Sequence, residues 1–488
     1  MSSTSNDGDR QHALRWWILV LVAVAQLMVV LDATIVNIAL PSAQRGLHFS
    51  DSERQWIVTA YTLAFGSLLL VGGRIGDFFG RRPTLVVGLI GFAIASAIGG
   101  AAASFGVLVG ARALQGAFAA LLAPTALSLL TTTFTDPVER GRAFGVFGSI
   151  AVSGAAVGLL LGGVLTEYLS WRWCLFVNLA FAIPAAFAAR ALLRAGAAAV
   201  RPRIDVPGTL TATLGLFSLV YGFNHAETHG WASEMTLAFL AAGVVLLAAF
   251  AAIQRRVAHP LLPPRVVLDR NRGGCYLAVG IVGVGLFGSF FFLTFYLQQT
   301  LGYSPLKTGF AFLPQVAAIM ATAPASSALL LPRTGPRPLV MAGMVLAAAG
   351  MIILAQLHVD STYAEHVLPG LVVTGLGLGL VFSPAVNTAT LGVTPADAGV
   401  ASATVNTMQQ IGGSLGTALL STLSASAASH YLAGRQHTAD VVAHATVHGY
   451  TDAFWWAATF FATGAVICGL LLRGGAPTVG PDASPAFA

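Results

Sequence analysis

Long apolar segments recur along nearly the whole chain, separated by short stretches rich in Arg, Pro and Gly. A helix needs about 20 mostly apolar residues to cross a bilayer. Fourteen segments meet or approach this length: 16–40, 54–73, 84–103, 105–130, 142–166, 173–193, 206–223, 235–254, 274–299, 306–331, 338–357, 367–390, 399–426 and 453–472. The pattern predicts an all-α integral membrane protein with fourteen transmembrane helices.

The basic residues between these segments predict the orientation. Cytoplasmic loops carry an excess of Lys and Arg. With a cytoplasmic N-terminus, most of the 25 basic residues lie inside, and the outer loops hold only Arg45, Arg54, Arg172, Lys307 and Arg435. All eight Trp lie at or near segment ends, as interfacial residues do. We predict a multi-pass protein of the cytoplasmic membrane with both termini inside.

The composition agrees with lipid as the main solvent. Hydrophobic residues make up 56% of the chain and charged residues only 9%, against about 25% charged in soluble domains. The net charge of +6 does not indicate a nucleic-acid partner, because the basic residues are scattered through short loops. No P-loop, catalytic motif, metal motif or cofactor motif is present. A pump of this kind would draw on an ion gradient and would not be an enzyme.

Two weak internal matches indicate a duplicated unit. Gly80-Arg81-Arg82-Pro83 follows the second segment, and Gly335-Pro336-Arg337-Pro338 follows the tenth (335 − 80 = 255). The openings of the fifth and thirteenth segments also match, at a similar offset (399 − 141 = 258). Parallel six-helix halves around a central cavity are a transporter architecture. We predict a cytoplasmic tail 1–15, a six-helix half 16–193, two inserted helices with linkers 194–272, a second six-helix half 273–472 and a disordered tail 473–488.

Asp32 is an acid deep inside the first segment. A charge there is costly and usually marks a site for ions, protons or a charged ligand. Arg112 and Tyr61 lie at similar depth, roughly 10 Å below the outer surface. Because an unpaired buried charge is unfavourable, Asp32 and Arg112 are expected to pair. A static ion pair that only fixes helix packing is the alternative to a functional one.

An ordered set of motifs covers nearly the whole chain. Its members are 31–41 with Asp32, the loop 73–82, Arg112-Ala113-Leu114-Gln115-Gly116, the glycine-rich 154–163, Trp171-Arg172-Trp173, Tyr296-Leu297-Gln298-Gln299 and 301–305. In these motifs the chain resembles the fourteen-helix drug:proton antiporters of the major facilitator superfamily. It departs from them at Phe78, where the family usually has a basic residue, and at Leu159, where it usually has Pro.

The resemblance implies proton-coupled efflux of drugs or antibiotics by alternating access, with Asp32 as proton carrier and Arg112 as its partner. Burial favours the neutral acid and Arg112 favours the carboxylate, so helix movement or drug binding changes this balance. Substrate and proton would then compete for one carboxylate. A proton symporter or uniporter of a small organic solute, or a non-transporting membrane sensor, remains an alternative.

Two further motifs admit a functional and a structural interpretation. The loop with Gly73, Asp77, Gly80, Arg81 and Arg82 would be an inner gate, or an ordinary basic loop that sets topology. The second motif is a small-residue face on the fifth helix, formed by Gly154, Gly158, Gly162 and Gly163. It would allow sliding contact between the two halves, or simply static packing.

The central cavity is expected to be lined by polar and aromatic side chains of both halves. The candidates are Gln26, Asn37, Tyr61, Gln115, Asn178, Phe292, Tyr296, Gln299, Asn387, Asn406 and Gln410. Asp32 is the only acid deep in a predicted segment, so the hypothesis is a neutral, zwitterionic or monocationic substrate. The expected partners are the lipid bilayer, a small drug or antibiotic and protons, with the protein acting as a monomer.

Overall fold

A computed structural model of the chain describes residues 4–134, 136–193, 205–258, 260–391, 393 and 398–475. The described residues form fourteen long helices and one single-turn helix, Pro264–Val267. The first eight long helices are α1 Thr4–Leu47, α2 Gln55–Phe79, α3 Arg81–Gly100, α4 Phe105–Thr133, α5 Pro137–Tyr168, α6 Trp173–Leu192, α7 Val206–His229 and α8 Glu234–Arg256.

Three of the remaining six helices contain or adjoin a π-helical turn. The six are α9 Arg270–Phe295, continued by the π turn Tyr296–Thr300; α10 Pro305–Ala325, continued to Thr334 through a π turn; α11 Pro336–Leu354; α12 Leu368–Thr390, preceded by the π turn Tyr363–Val367; α13 Ala398–Leu432; and α14 Ala439–Leu471. Connections at one end of the bundle are the ones that the arginine distribution assigns to the outside. We call this end the outer end.

Twelve of the described helices are long and apolar enough to cross a membrane. The other two long helices, α5 and α13, do not meet that measure over their described residues. Helix α13 is rich in Ser, Thr, Gly and Gln, which lowers its mean hydropathy. The predicted count of fourteen transmembrane helices is therefore not established by the helices themselves and stays a prediction.

Several helices extend beyond their predicted ends, because hydropathy marks where a helix meets lipid and not where it stops. Helix α1 continues through Pro41 to Leu47. Helix α14 begins at Ala439, well before the predicted 453, where the Thr438 hydroxyl accepts a hydrogen bond from the Val441 amide and caps the helix. Asp452 consequently lies inside α14, one turn before Trp455 and Trp456.

Helices α1–α6 pack mainly with one another and form an N-terminal unit, and α9–α14 form a C-terminal unit in the same way. Gly80 and Gly335 each make the turn between the second and third helix of a unit, and both have positive φ (92° and 77°). A left-handed residue at this turn favours glycine. The matching turns agree with the internal repeat seen in the sequence.

Helices α7 and α8 pack against each other and lie over the seam between the two units. Leu216 and Val220 of α7 pack with Leu63 of α2 and Ala418 of α13 in one small apolar cluster. The Thr422 hydroxyl of α13 also donates a hydrogen bond to the Phe223 carbonyl of α7 at 2.7 Å. The inserted pair therefore contacts both units through α7.

The two units are in close contact at the outer end. Gln298 Nε2 donates to the Ile38 carbonyl at 2.9 Å, and the Leu306 amide donates to Glu167 Oε2 at 3.0 Å. Arg54 at the start of α2 is 8% exposed and lies in an aromatic pocket of the C-terminal unit.

The guanidinium of Arg54 is held by aromatic rings of the opposite unit. Its carbon lies 4.0 Å from the ring centre of Phe295, and its Nη1 lies 3.4 Å from the Tyr450 hydroxyl. Cations over aromatic faces are attracted most strongly when they are desolvated. Arg54 is therefore a specific link between the units in this outer-closed conformation.

Candidate functional site

Asp32 and Arg112 form a buried ion pair in the interior of the N-terminal unit. Arg112 Nη1 lies 2.6 Å from Asp32 Oδ2, and the two residues are 1% and 0% exposed. The pair joins α1 to α4, as the matched depth of the two residues predicted. Such a charge pair requires further hydrogen bonds to offset the cost of removing both groups from water.

Arg112 is held from three further directions. Its Nε donates to the Ile57 carbonyl of α2 at 3.2 Å, and its Nη1 donates to Gln115 Oε1 at 3.0 Å. The Tyr61 ring of α2 lies 4.3 Å from the guanidinium carbon, and the Tyr61 hydroxyl reaches the Val29 carbonyl of α1 at 3.5 Å. The state of the Asp32–Arg112 pair is thus connected to the position of α2.

Two amides complete the coordination of the carboxylate. Gln115 Nε2 and Asn178 Nδ2 both donate to Asp32 Oδ1, at 3.0 and 2.7 Å. The Ser96 hydroxyl of α3 lies 2.8 Å from Gln115 Nε2 and 3.4 Å from Asn178 Nδ2. Five helices of one unit therefore meet at Asp32, and three nitrogen donors stabilise its negative charge.

The position of Asp32 changes the expected competition between drug and proton. The carboxylate is surrounded by α3, α4 and α6 of its own unit and has no exposed surface. A drug cannot contact it in this conformation. The competition predicted from the sequence would therefore require a helix movement that exposes Asp32, and it stays a prediction.

The eleven predicted substrate residues do not form one cavity. Tyr61, Gln115 and Asn178 belong to the group of side chains around Asp32, which also includes Ser96 and Arg112 and which we call the Asp32 cluster. Phe292 packs between Tyr450 and Phe454 inside the C-terminal unit. Tyr296 donates to the His358 carbonyl, and Asn37 and Asn406 donate to carbonyls of their own helices. Gln410 is buried against Gly66. Gln26 and Asn387 are half-buried, and Gln299 is exposed at the outer end.

Arg81 and Arg82 of the predicted gating loop form hydrogen bonds with other helices of the N-terminal unit. Arg81 Nη1 donates to Thr132 of α4 at 2.7 Å, and Arg82 Nη2 donates to the Arg190 carbonyl of α6 at 2.8 Å. Both bonds stay inside the N-terminal unit. Gly73 and Gly76 face Pro124 and Thr125 of α4. The side chain of Asp77 lies outside the described part of the structure, so its predicted gating role remains a prediction.

The small-residue face of α5 is directed at α1, not at the other unit. Added Cβ atoms at Gly154, Gly158 and Gly162 would meet side chains or backbone of α1, including Val30, Thr34 and Ile35. The predicted sliding contact between the halves is therefore wrong for these three glycines. Gly163 does face the other unit, where an added Cβ would lie 2.6 Å from Leu306 Cα of α10.

The sequence did not reveal two groups of the Asp32 site, Ser96 and the Ile57 carbonyl, or the role of Arg54 in the contact between the units. Ser96 and the Ile57 carbonyl carry no intramembrane charge and so give no signal. Arg54 is expected in an outer loop from the sequence, and its aromatic pocket in the C-terminal unit is not predicted.

A separate apolar groove of about 350 Å³ lies between α3 and α6. Arg190 is among its lining residues and Asp32 is not, so this groove is not part of the Asp32 site.

Two six-helix units, closed against each other at one end and carrying a buried ion pair, define a membrane transporter. Residues 22–417 match the family model described as "Major Facilitator Superfamily". The chain belongs to the major facilitator superfamily and is a transporter, not an enzyme.

Characterised relatives cover almost the whole chain. The puromycin resistance protein pur8 of Streptomyces alboniger is 52% identical over 460 residues, which are 94% of this chain and 91% of the relative. The cephamycin export protein CmcT of Amycolatopsis lactamdurans is 38% identical over 93% of this chain and 92% of its own. The crystal structure of an autoinhibited peptide transporter of the POT family has a TM-score of 0.69 at 16% identity, covering 96% of this chain and 99% of that one. At that identity the likeness concerns the fold alone.

Proposed function

We propose that this protein exports antibiotics or similar organic compounds across the cytoplasmic membrane in exchange for protons. Asp32 would carry the proton, and Arg112 would hold the carboxylate in its charged state. The observation that supports this most directly is the buried Asp32–Arg112 pair, which is coordinated from α2, α3, α4 and α6. Buried ionisable residues in membrane proteins are costly and are typically functional.

The proposed coupling uses the link between the ion pair and α2. Protonation of Asp32 would remove the charge that Arg112 neutralises, leaving the guanidinium attached to the Ile57 carbonyl and the Tyr61 ring. Because α2 also carries Arg54 at its outer end, a shift of α2 would loosen the aromatic pocket that holds the units together. Proton entry and outer opening would then favour each other, as thermodynamic linkage requires.

The relatives suggest where the search for substrates should begin. The names of two of them refer to puromycin and cephamycin. Puromycin is the first compound to test because pur8 shares 52% of its residues over the aligned length. The hypothesis of a neutral, zwitterionic or monocationic substrate stays a prediction from the sequence, because the buried Asp32 does not contact the substrate in this conformation. The proposed orientation places both termini in the cytoplasm and Arg54 outside.

The experiment is substrate uptake into everted membrane vesicles, driven by an imposed proton gradient with the vesicle interior acidic. We expect puromycin or another member of an antibiotic panel to accumulate in wild-type vesicles and to leave when the gradient is collapsed. Asp32→Asn should bind substrate without gradient-driven accumulation. Asp452→Asn is the matched control, since Asp452 lies inside α14 but outside the Asp32 cluster.

Three results would contradict the proposal. Accumulation that continues unchanged in Asp32→Asn would show that Asp32 is not the proton carrier. Movement only down the substrate gradient, with no response to the proton gradient, would indicate a uniporter on the same scaffold. Accumulation favoured by the opposite gradient would indicate a symporter.

A further inference from the structure

The Asp32 cluster contains one polar atom that the charged state of the carboxylate does not use. Asn178 is fully buried, and its Nδ2 donates to Asp32 Oδ1. Its Oδ1 is buried and has no hydrogen-bond partner. A buried acceptor without a partner is unfavourable, and native structures contain few of them.

A protonated Asp32 would meet only donors in the present arrangement. Arg112 Nη1, Gln115 Nε2 and Asn178 Nδ2 all direct N–H groups at the carboxylate. None of these nitrogens can accept the new O–H, because an amide nitrogen and a guanidinium are donors only. The neutral acid therefore needs a rearrangement that brings an oxygen to it.

Of the two amides, Asn178 is the one whose rotation breaks fewer hydrogen bonds. Gln115 Oε1 is occupied by Arg112, and Gln115 Nε2 also contacts Ser96. Rotation of Gln115 would break both contacts. Rotation of Asn178 about its terminal torsion replaces the N–H that it donates to Asp32 Oδ1 with its unused oxygen. The other contact that this rotation breaks is the one from Nδ2 to Ser96 at 3.4 Å. Such amide torsions are broad and roughly two-fold.

We propose that Asn178 is a positioning residue that serves both protonation states of Asp32. It donates to the carboxylate when Asp32 is charged, and after rotation it accepts the O–H when Asp32 is protonated. This inference rests on the proposed proton-carrying role of Asp32 and gives Asn178 a role in proton loading instead of substrate binding. The proton stays on an Asp32 oxygen throughout, and no covalent bond other than O–H changes.

The other charged and titratable groups around Asp32 do not supply this acceptor. Among the described residues, Arg112 from α4, Tyr61 from α2 and Cys174 from α6 act on this site. Arg112 has no acceptor atom. Tyr61 directs its hydroxyl to the Val29 carbonyl, and Cys174 lies against Thr166. Helix α3 contributes the neutral hydroxyl of Ser96.

The test is infrared difference spectroscopy of the full-length protein in lipid, recorded as the pH is lowered. The C=O band of protonated Asp32 is identified by its loss in Asp32→Asn. In Asn178→Leu, which has a similar shape and no polar atoms, we expect this band to move to the higher frequency of an acid without a hydrogen-bond acceptor. Its midpoint pH should move little, since both protonation states lose one hydrogen bond.

The opposite result would identify Asn178 as a fixed donor. If Asn178 only stabilises the carboxylate, Asn178→Leu leaves the acid band in place and raises its midpoint by about one pH unit, as loss of a charge-assisted bond would. That outcome would overturn the inference and leave the proposed function intact. Absence of any Asp32 acid band would instead refute the proposed function.

A control and a second measurement protect the test against misfolding. Ser96→Ala removes a hydroxyl that touches both amides but not the carboxylate, so the acid band should stay in place. Wild-type protein labelled with ¹³C at the asparagine side-chain carbonyl needs no substitution at Asn178. One labelled amide band should shift with the same midpoint pH as the Asp32 band, and a set of amide bands that does not respond would contradict the rotation.

Discussion

At the residue scale, the ion pair has to be judged by what each partner costs alone. Asp32 and Arg112 are both fully buried, and each satisfies the charge of the other. Removing one partner of a buried pair typically destabilises a protein by about 3–5 kcal/mol, because an uncompensated charge remains. Removing both charges together should cost much less.

The first prediction follows from that asymmetry. Arg112→Gln should lower the thermal unfolding midpoint strongly in detergent, and Asp32→Asn in the same chain should restore much of the loss. The measurement is a double-mutant cycle on the unfolding midpoint, with the compact fold checked by size-exclusion chromatography. Additive losses in the double variant would show that the two side chains do not depend on each other.

The sequence allowed the ion pair to be predicted, but not its surroundings. Depth along a helix follows directly from residue number, so Asp32 and Arg112 could be placed level with each other. The direction in which a side chain points depends on the rotation of each helix, which weakly amphipathic apolar segments do not reveal. For that reason Asn178 and Gln115 were assigned to a substrate cavity, and Ser96 was not identified.

At the scale of elements, the glycines of α5 show the same limit. Their spacing correctly indicated one smooth face, but it could not say which neighbour the face contacts. The structure places α1 against it, with Thr34 and the Leu31 carbonyl next to Gly158. Leu159, the residue that departs from the family motif, instead presents its carbonyl to Gly309 of α10, 2.6 Å from the position of an added Cβ.

The second prediction compares two glycines in the N-terminal unit. Gly158→Ala should destabilise the protein, since the added methyl group overlaps the Thr34 hydroxyl and close packing of α1 on α5 would be lost. Gly106→Ala is the matched control, because an added Cβ at Gly106 meets nothing within 4 Å. Thermal unfolding in detergent measures both, and equal midpoints for the two variants would refute the assigned α1–α5 contact.

At the scale of the whole molecule, the outer closure combines polar and aromatic contacts between the units. Glu167 and Gln298 each contribute one hydrogen bond, while Arg54 places a cation among aromatic rings of α9 and α14. Arg54 also lies 3.5 Å from the exposed Asp51 carboxylate. Exposed pairs of that kind contribute little, so the aromatic pocket should account for most of the effect of Arg54.

The third prediction concerns this link. Arg54→Gln should shift the protein toward conformations that are open at the outer end. The measurement is the distance between spin labels at Asp51→Cys and His358→Cys, which are on opposite units, after the three native cysteines are replaced. We expect a larger population of long distances in the variant. Arg45→Gln is the control, since Arg45 is exposed and bonds to Ser42 of its own helix. An unchanged distance distribution in Arg54→Gln would contradict the assignment.

The two-unit architecture was predictable because a repeated turn leaves a trace in the sequence, at Gly80 and Gly335. The position of the inserted helices was not, since α7 meets α2 and α13 through ordinary apolar residues such as Leu216 and Val220. Such residues look the same whether they face lipid or protein. The sequence could therefore identify the insert as two additional helices without indicating that it lies over the seam.

Proton release on substrate binding tests the central claim most directly. Purified protein in weakly buffered solution is mixed with puromycin and with the other antibiotics of the panel, and the pH is followed with an indicator dye. The account predicts that a transported compound releases protons from the wild type and from Asp452→Asn, and that Asp32→Asn binds the compound without releasing them. Equal proton release from Asp32→Asn and the wild type would contradict the assignment of Asp32 as the proton carrier.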